Sequence, residues 1–235
     1  MYATLGDMER ARSDYENAYR FFTLALDSQR RDPDTYNNRA TVLLRLGRYD
    51  EAISDIDRAI SLSDSSADVV MGSRARPNSA NRRSGQLANL QTRRGFANAL
   101  RGDWVSAITA YDDAARFAPD DPLHEADQCA GRAAARIELE AARAYCEHAL
   151  RVGTNFTTLF AQAFLDFVEG DLPRARAGFE AAALTYPDSP FAEYALGVVD
   201  AHMGLAEGYT RAAAAESKID PFDLLFYKNA GLRLP

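Results

Sequence analysis

The sequence has few of the residues that build metal centres, disulfide frameworks or membrane spans. Among 235 residues there are two cysteines, three histidines and one tryptophan, and long apolar runs do not occur. A helix that crosses a bilayer needs about 20 successive apolar residues, so the sequence predicts no membrane span. Residues 1–12 also lack the apolar core of a signal peptide. We expect a cytoplasmic protein, with a secreted or periplasmic one as the alternative if a signal segment has been removed.

The two cysteines, Cys129 and Cys146, lie 17 residues apart, a spacing that fits no common metal motif. Cysteine in a reducing compartment commonly behaves as a small buried apolar residue, so we favour two buried thiols over a disulfide. The three histidines are scattered, and the sequence has no glycine-rich phosphate loop. We therefore expect no metal, no cofactor and no catalytic centre.

Short segments of similar sequence recur at regular intervals. They are Ser13-Asp14-Tyr15, Gly47-Arg48-Tyr49, Gly102-Asp103-Trp104 and Gly170-Asp171-Leu172. Their first residues are 34, 55 and 68 positions apart, and Gly204 follows after another 34. These intervals are one period of 34, one period plus 21, and two periods. A fixed period of this length is the signature of a solenoid of helical repeats.

Each segment opens a helix with the same pattern of small and bulky residues. A small residue is followed by a bulky one four positions later and by a second small one three positions after that. Spacings of four and three place all three on one helical face, where a neighbouring helix can approach closely. The triplets are Ala18/Phe22/Ala25, Ala52/Ile56/Ala59, Ala107/Tyr111/Ala114 and Ala175/Phe179/Ala182.

Prolines mark the boundaries of the same period, because proline cannot continue a helix interior. Six of the nine prolines lie near predicted boundaries: Pro33, Pro119, Pro122, Pro187, Pro190 and Pro221. Period, triplets and prolines, with Tyr2-x-x-Leu5-Gly6 and Leu196-Gly197, resemble the tetratricopeptide repeat family. The resemblance implies an all-α, right-handed α-solenoid of about six helix-turn-helix repeats.

We assign one solenoid domain to residues 1–235. Its repeats lie at about 1–32, 33–66, 88–121, 123–155, 156–189 and 190–223. The fourth fits when shifted by one residue, and the sixth has lost the signature of its second helix. An insertion occupies 67–87, and a short amphipathic helix at about 222–230 is expected to cap the last repeat.

The family resemblance further implies that first helices line a concave face that binds a peptide or a helix of a partner protein. In the second and third repeats the groove positions hold Asn38, Thr41, Arg45, Arg93 and Phe96. Some family members clamp a peptide carboxylate with lysine, asparagine and arginine side chains, and Asn38 and Arg93 match two of those positions. Because Ala3, Asp7 and Asn89 stand where the other members are needed, we do not expect that clamp.

The fifth and sixth repeats have aromatic residues at the groove positions, namely Phe160, Phe164, Phe167, Phe191 and Tyr194. One interpretation is an apolar groove for a partner helix or an extended segment. The alternative is that the rings fill the core, or are covered by the C-terminal helix or by a second subunit. We keep both interpretations.

The insertion has the composition of a loop and carries Arg74, Arg76, Arg82 and Arg83. These arginines are a candidate patch for an acidic partner or a phosphate backbone. No aromatic residues lie among them to stack on bases, and the net charge is −7, so we favour a solvated loop. We expect a protein-binding scaffold rather than an enzyme; a self-associating structural protein is the alternative, and nucleic-acid binding ranks third.

Overall fold

The computed structural model describes residues 1–29, 31–70, 77–119 and 121–235, and all regular secondary structure in these ranges is helical. The predicted all-α class is confirmed. The helices are α1 (Tyr2–Ala11), α2 (Tyr15–Ser28), α3 (Pro33–Arg45), α4 (Tyr49–Val70), α5 (Pro77–Arg101), α6 (Trp104–Phe117), α7 (Pro122–Ala135), α8 (Leu139–Val152), α9 (Phe156–Val168), α10 (Leu172–Thr185), α11 (Pro190–His202), α12 (Ala206–Glu216) and α13 (Pro221–Asn229).

The helices form two compact units, residues Met1–Ala118 and Pro119–Pro235, which we call unit 1 and unit 2. Unit 1 holds the helix pairs α1/α2, α3/α4 and α5/α6; unit 2 holds α7/α8, α9/α10 and α11/α12, followed by α13. These are the helix-turn-helix repeats that the sequence period predicts. The single domain over residues 1–235 stays a prediction. None of the described helices has the length and apolarity needed to cross a membrane.

The recurring Gly-Arg or Gly-Asp start of the second helices is explained by the turn that precedes each of them. Gly47, Gly102 and Gly170 have φ of 71°, 89° and 84°, which is left-handed backbone that glycine adopts without a steric penalty. The carboxylates of Asp103 and Asp171 then accept a hydrogen bond from a backbone N–H in the first turn of the next helix. The Gly-Asp pair therefore ends one helix and begins the next.

The small and bulky triplets form the interior of each hairpin. Phe22, Ile56 and Phe179 are completely buried, as are nearly all the alanines that flank them. A Cβ atom on Gly95 would come within 2.5 Å of the Tyr111 ring, so glycine is needed for that close approach. The triplets therefore have a packing role, as the sequence predicts.

The fourth hairpin differs, because Cys129 and Cys146 form a disulfide with their Cα atoms 5.5 Å apart. The prediction of two buried thiols is wrong. Cys129 occupies the position on α7 that Gly95 has on α5, and Cys146 occupies the position on α8 that Tyr111 has on α6. These positions face each other in a hairpin, so two cysteines placed there come within bonding reach. Sequence spacing alone does not reveal this register.

Of the insertion predicted at 67–87, the described residues 67–70 and 77–87 are helical, so the flanking helices extend into it and the loop expected from its composition does not include these residues. Helix α4 continues to Val70, and α5 begins at Pro77, well before the third repeat. Arg83 donates a hydrogen bond to Asp64 over 2.8 Å, and the Ser84 hydroxyl donates to the carbonyl of Phe117. These contacts link the extended part of α5 to α4 and to the end of α6. Hydrogen bonds to residues distant in sequence thus stabilise the helix here despite the loop-like composition.

Candidate partner-binding faces

The first helices of unit 1 bring polar side chains together on a surface that we call the polar face: Asp7, Arg10, Asn38, Thr41 and Arg93. Asn38 Nδ2 lies 3.4 Å from the Asp7 carboxylate, which also accepts a hydrogen bond from Arg10 over 3.0 Å. The Arg93 guanidinium donates to the Thr41 hydroxyl. Helices α1, α3 and α5 thus each contribute to one cluster.

Positive charge is in excess on the polar face. The pKa of Arg93 is lowered, first by burial and then by repulsion from Arg10. The two guanidinium groups are thus close enough to interact, and the five residues that define the face include these two arginines and one carboxylate, that of Asp7. Such an arrangement favours an incoming anion or hydrogen-bond acceptor.

Sequence reasoning identified Asn38, Thr41 and Arg93, and the structure places them together. Arg45 and Phe96, predicted with them, are half-buried on α3 and α5. Arg10 was missed. It occupies the groove position in the first repeat that lies four residues after Gly6, so the same positional map could have found it.

The first helices of unit 2 carry a surface that we call the aromatic face: Phe160 and Phe164 of α9, with Tyr194 and His202 of α11. The side chains of Phe160, Phe164 and Tyr194 are each at most 3% exposed. Phe160 also packs edge-on against Phe179 of α10, with ring centroids 4.8 Å apart. These rings therefore contribute to the core and are covered from outside.

The cover is the end of the chain itself, residues 221–235, which we call the C-terminal segment. The ring of Tyr227 lies 5.0 Å from that of Phe160 and 5.2 Å from that of Phe164, measured between centroids. The Tyr194 hydroxyl donates to the carbonyl of Leu232 over 3.1 Å. The predicted C-terminal helix is confirmed as α13, and it covers the fifth repeat as well as the last.

His202 and Tyr194 hold the extended end of this segment. His202 Nε2 lies 3.0 Å from the carbonyl of Arg233, so this ring nitrogen carries the proton and donates. Phe167 packs edge-on against His202 at 5.2 Å between centroids. Burial, with the nearby charge of Glu216, raises the pKa of Tyr194 to about 12, which keeps its hydroxyl protonated. Phe191 is half-buried at the start of α11.

The arginines of the predicted basic patch are only partly described. Arg74 and Arg76 lie outside the described residues. Arg82 is exposed, and Arg83 is paired with Asp64. Further along α5, Arg94 pairs with Asp57 and Arg101 with Asp50 and Asp103. Carboxylates thus neutralise much of the positive charge on this helix.

The described part of the chain contains no group of three His, Cys, Asp or Glu side chains arranged to hold a metal ion. His148 pairs with Glu125 over 2.7 Å across the α7/α8 hairpin. His124 is buried on α7, and hydrogen bonding to Asp127 raises its pKa. Both cysteines are consumed by the disulfide, so neither is available as a thiolate nucleophile.

Comparison with known proteins agrees with this geometry. The profile of the tetratricopeptide repeat family matches residues 33–65, which is the second predicted repeat. The solved structure of a tetratricopeptide repeat protein from Parabacteroides merdae superimposes with a TM-score of 0.71 over 98% of this chain and 82% of that one, at 16% identity. Residues 33–65 are thus a tetratricopeptide repeat, and the chain has the fold of tetratricopeptide repeat proteins.

Other relatives share the repeat over shorter or more divergent stretches. Human DnaJ homolog subfamily C member 7 is 38% identical to this chain over 60 residues, which is 26% of this chain but 12% of the relative. The Hsp70-Hsp90 organizing protein of wheat is 36% identical over 55 residues, 23% of this chain and 10% of that protein. The structure of PilW, a type IV pilus biogenesis factor, has a TM-score of 0.64 at 16% identity, over 92% of this chain and 90% of that one.

Proposed function

We propose that this protein is an interaction scaffold, and that the polar face of unit 1 binds an acidic stretch of a partner protein. Proteins built from this repeat generally act as scaffolds rather than enzymes, through the surface that their first helices form. The observation that supports the acidic partner is the proximity of Arg10 and Arg93, of which Arg10 pairs with Asp7 whereas Arg93 donates to the Thr41 hydroxyl.

A carboxylate from a partner would offset the electrostatic repulsion between Arg10 and Arg93 on the polar face. The Arg93 guanidinium is held close to Arg10 in a half-buried site. An added negative charge would interact favourably with both, through charge-assisted hydrogen bonds. Asn38 offers an amide that can bond to the partner's backbone, as polar groove side chains do for extended peptides.

The partner's acidic residue is expected to lie within its chain rather than at its terminus. The Hsp70-Hsp90 organizing protein, one of the relatives, is named for two chaperones. The lysines expected of a clamp for a terminal carboxylate are replaced here by Ala3 and Asn89. Two arginines with amides and a hydroxyl suit an Asp or Glu side chain with its adjoining backbone.

The two other hypotheses have less support. Self-association through Phe160 and Phe164 would need the C-terminal segment to leave first, because Tyr227 packs on both rings. Nucleic-acid binding would need arginines with spare charge, whereas Arg83 and Arg94 are paired with aspartates. Neither is proposed.

A peptide-display selection against the full chain tests the proposal. We expect the selected peptides to be rich in Asp and Glu, and Arg93→Gln to weaken their binding about tenfold, as expected for loss of one charge-assisted contact. Arg20→Gln is the matched control, because Arg20 is exposed on the second helix α2. Equal affinity of the unaltered and Arg93→Gln chains for these peptides would sink the proposal.

The disulfide bears on the compartment in which the scaffold works. Stable disulfides are rare in the cytosol of most cells and common in secreted and periplasmic proteins. Of the two compartments that the sequence allows, we therefore favour the oxidising one. Acid quenching of the source cells, followed by labelling with a maleimide polymer in denaturant, should leave Cys129 and Cys146 unmodified; a shift in mass by two labels would point to the cytosol instead.

A further inference from the structure

We infer that the aromatic face of unit 2 is a binding site whose present occupant is the protein's own C-terminal segment, held as an internal ligand. The partner that the site fits is a short amphipathic helix with one inserted aromatic ring, followed by extended chain. This inference concerns a different surface from the polar face and stands apart from the function proposed for it.

The C-terminal segment is held differently from the other helices of unit 2. In the hairpin α11/α12 the backbones touch, since a Cβ atom on Gly197 would come within 2.3 Å of the backbone nitrogen of Ala212. Helix α13 instead inserts the ring of Tyr227 against two phenylalanine rings of α9. Leu224 and Phe226 of α13 and Leu232 beyond it are buried as well, so the segment presents one apolar face to the groove, as a bound amphipathic helix does.

The extended end of the segment is bound through its backbone. The carbonyls of the consecutive residues Leu232 and Arg233 accept hydrogen bonds from Tyr194 and His202 on α11. Side chains of a groove that bond to a ligand's main chain hold it with little regard to its sequence. The ring pocket around Tyr227 then supplies the selectivity.

The segment does not continue the repeat pattern. A seventh repeat would stack its first helix on the hairpin α11/α12. Helix α13 instead packs on α9, and a Cβ atom on Gly231 would lie 3.9 Å from the Arg136 guanidinium at the end of α7. The segment thus crosses the first helices of the fourth, fifth and sixth repeats, where a family resemblance places ligands.

The inference requires that the three hairpins of unit 2 stay folded when the segment departs. Helix α13 satisfies its own first turn, because the Asp220 carboxylate accepts from the N–H of Phe222 over 2.9 Å. Its ion pair, Lys228 with Glu216, is about a third to two fifths exposed on each side and contributes little.

A synthetic peptide of residues 219–235 is the probe, and the full chain is the receptor. The unaltered chain should bind the labelled peptide weakly, because its own segment competes at high effective concentration. Tyr227→Ala in the chain should strengthen peptide binding about tenfold. Tyr209→Ala is the matched control, since Tyr209 is exposed on α12, and should leave peptide binding as in the unaltered chain. A peptide that itself carries Tyr227→Ala should not bind.

Native-state hydrogen exchange on the unaltered chain gives an independent readout. The amides of α13 should exchange through an opening that leaves α9 and α11 protected. The inference is overturned if α13 exchanges only together with α9 and α11, if Tyr227→Ala removes the protection of those helices, or if the variant remains folded but does not bind the peptide. In each case the segment is part of the folded core and not a ligand.

Discussion

The two units use the same hairpin but differ in what their first helices present. In unit 1 the side chains that meet across α1, α3 and α5 are charged or hydrogen-bonding, such as Arg10, Asn38 and Arg93. In unit 2 they are aromatic, and Tyr227 covers them. The repeat is maintained by alanine and glycine inside each hairpin, so the face outside can vary. An apolar face needs a cover in water, whereas a polar face does not.

The largest effect is expected beneath the aromatic face, with Phe179→Ala on α10. The ring of Phe179 is fully buried and packs on Phe160, so its removal leaves a cavity and should cost about 3–5 kcal/mol of stability. Urea unfolding measures the loss. Leu184→Ala on the same helix is the control, because Leu184 is 81% exposed. A loss of stability in Phe179→Ala that is as small as the one in Leu184→Ala would show that Phe179 is not a core residue.

The disulfide should come next, since it is the covalent feature that distinguishes a hairpin of unit 2. Its 17-residue separation corresponds to about 3 kcal/mol by loop-closure entropy. Reductant should lower the melting temperature of the unaltered chain and leave that of Cys129→Ser/Cys146→Ser unchanged. Two titratable thiols in the denatured, unreduced chain would contradict the disulfide itself.

Alkaline pH should loosen the C-terminal segment before it affects unit 1. Tyr194 has a pKa of about 12 in the folded protein against about 10 for an unfolded tyrosine. The unfolded chain therefore loses this proton first, and stability falls between about pH 10 and 12, by up to about 2–3 kcal/mol. Thermal unfolding followed by circular dichroism across this range measures the effect. Tyr194→Phe should reduce the pH dependence without removing it, because burial also raises the pKa of Tyr227; an undiminished dependence would mean that Tyr194 does not contribute.

The smallest change in stability is expected from Asp7→Asn on the polar face. Asp7 is 43% exposed in its side chain, so losing its pair with Arg10 should cost less than about 1 kcal/mol. Affinity for the selected acidic peptides should instead rise, about two- to fivefold, because the competing carboxylate is gone. Isothermal titration calorimetry separates the two outcomes; weaker binding would mean that Asp7 positions Arg10 for the partner.

Much of the fold could be predicted because packing inside each hairpin requires small and bulky residues at positions that recur with a fixed period. Gly102 with Asp103, and the triplet around Tyr111, indicated both the turn and the inner face of α6 before any coordinates. The groove positions also brought Asn38 and Arg93 together correctly, since one helical register fixes where each first-helix side chain lies. These are local rules, satisfied within about 34 residues.

The features that were missed depend on contacts between distant residues. Cys129 and Cys146 pair because α7 and α8 face each other in one register, which their 17-residue spacing alone did not show. The helical extension of α5 depends on Asp64 and on the carbonyl of Phe117. Loop-like composition cannot anticipate such partners.

The sequence by itself determined the repeat, its hairpins and the polar or aromatic character of each face. Only the tertiary structure decided which face is covered by another segment of the chain and which is not. Tyr227 lies 67 residues after Phe160, and nothing local to either residue specifies that the two rings meet. The physical reason is that the hydrophobic effect is non-directional, so it does not specify which segment of the chain covers an apolar surface. The chain covers its aromatic rings with a segment that can reach them, and here that segment is residues 221–235.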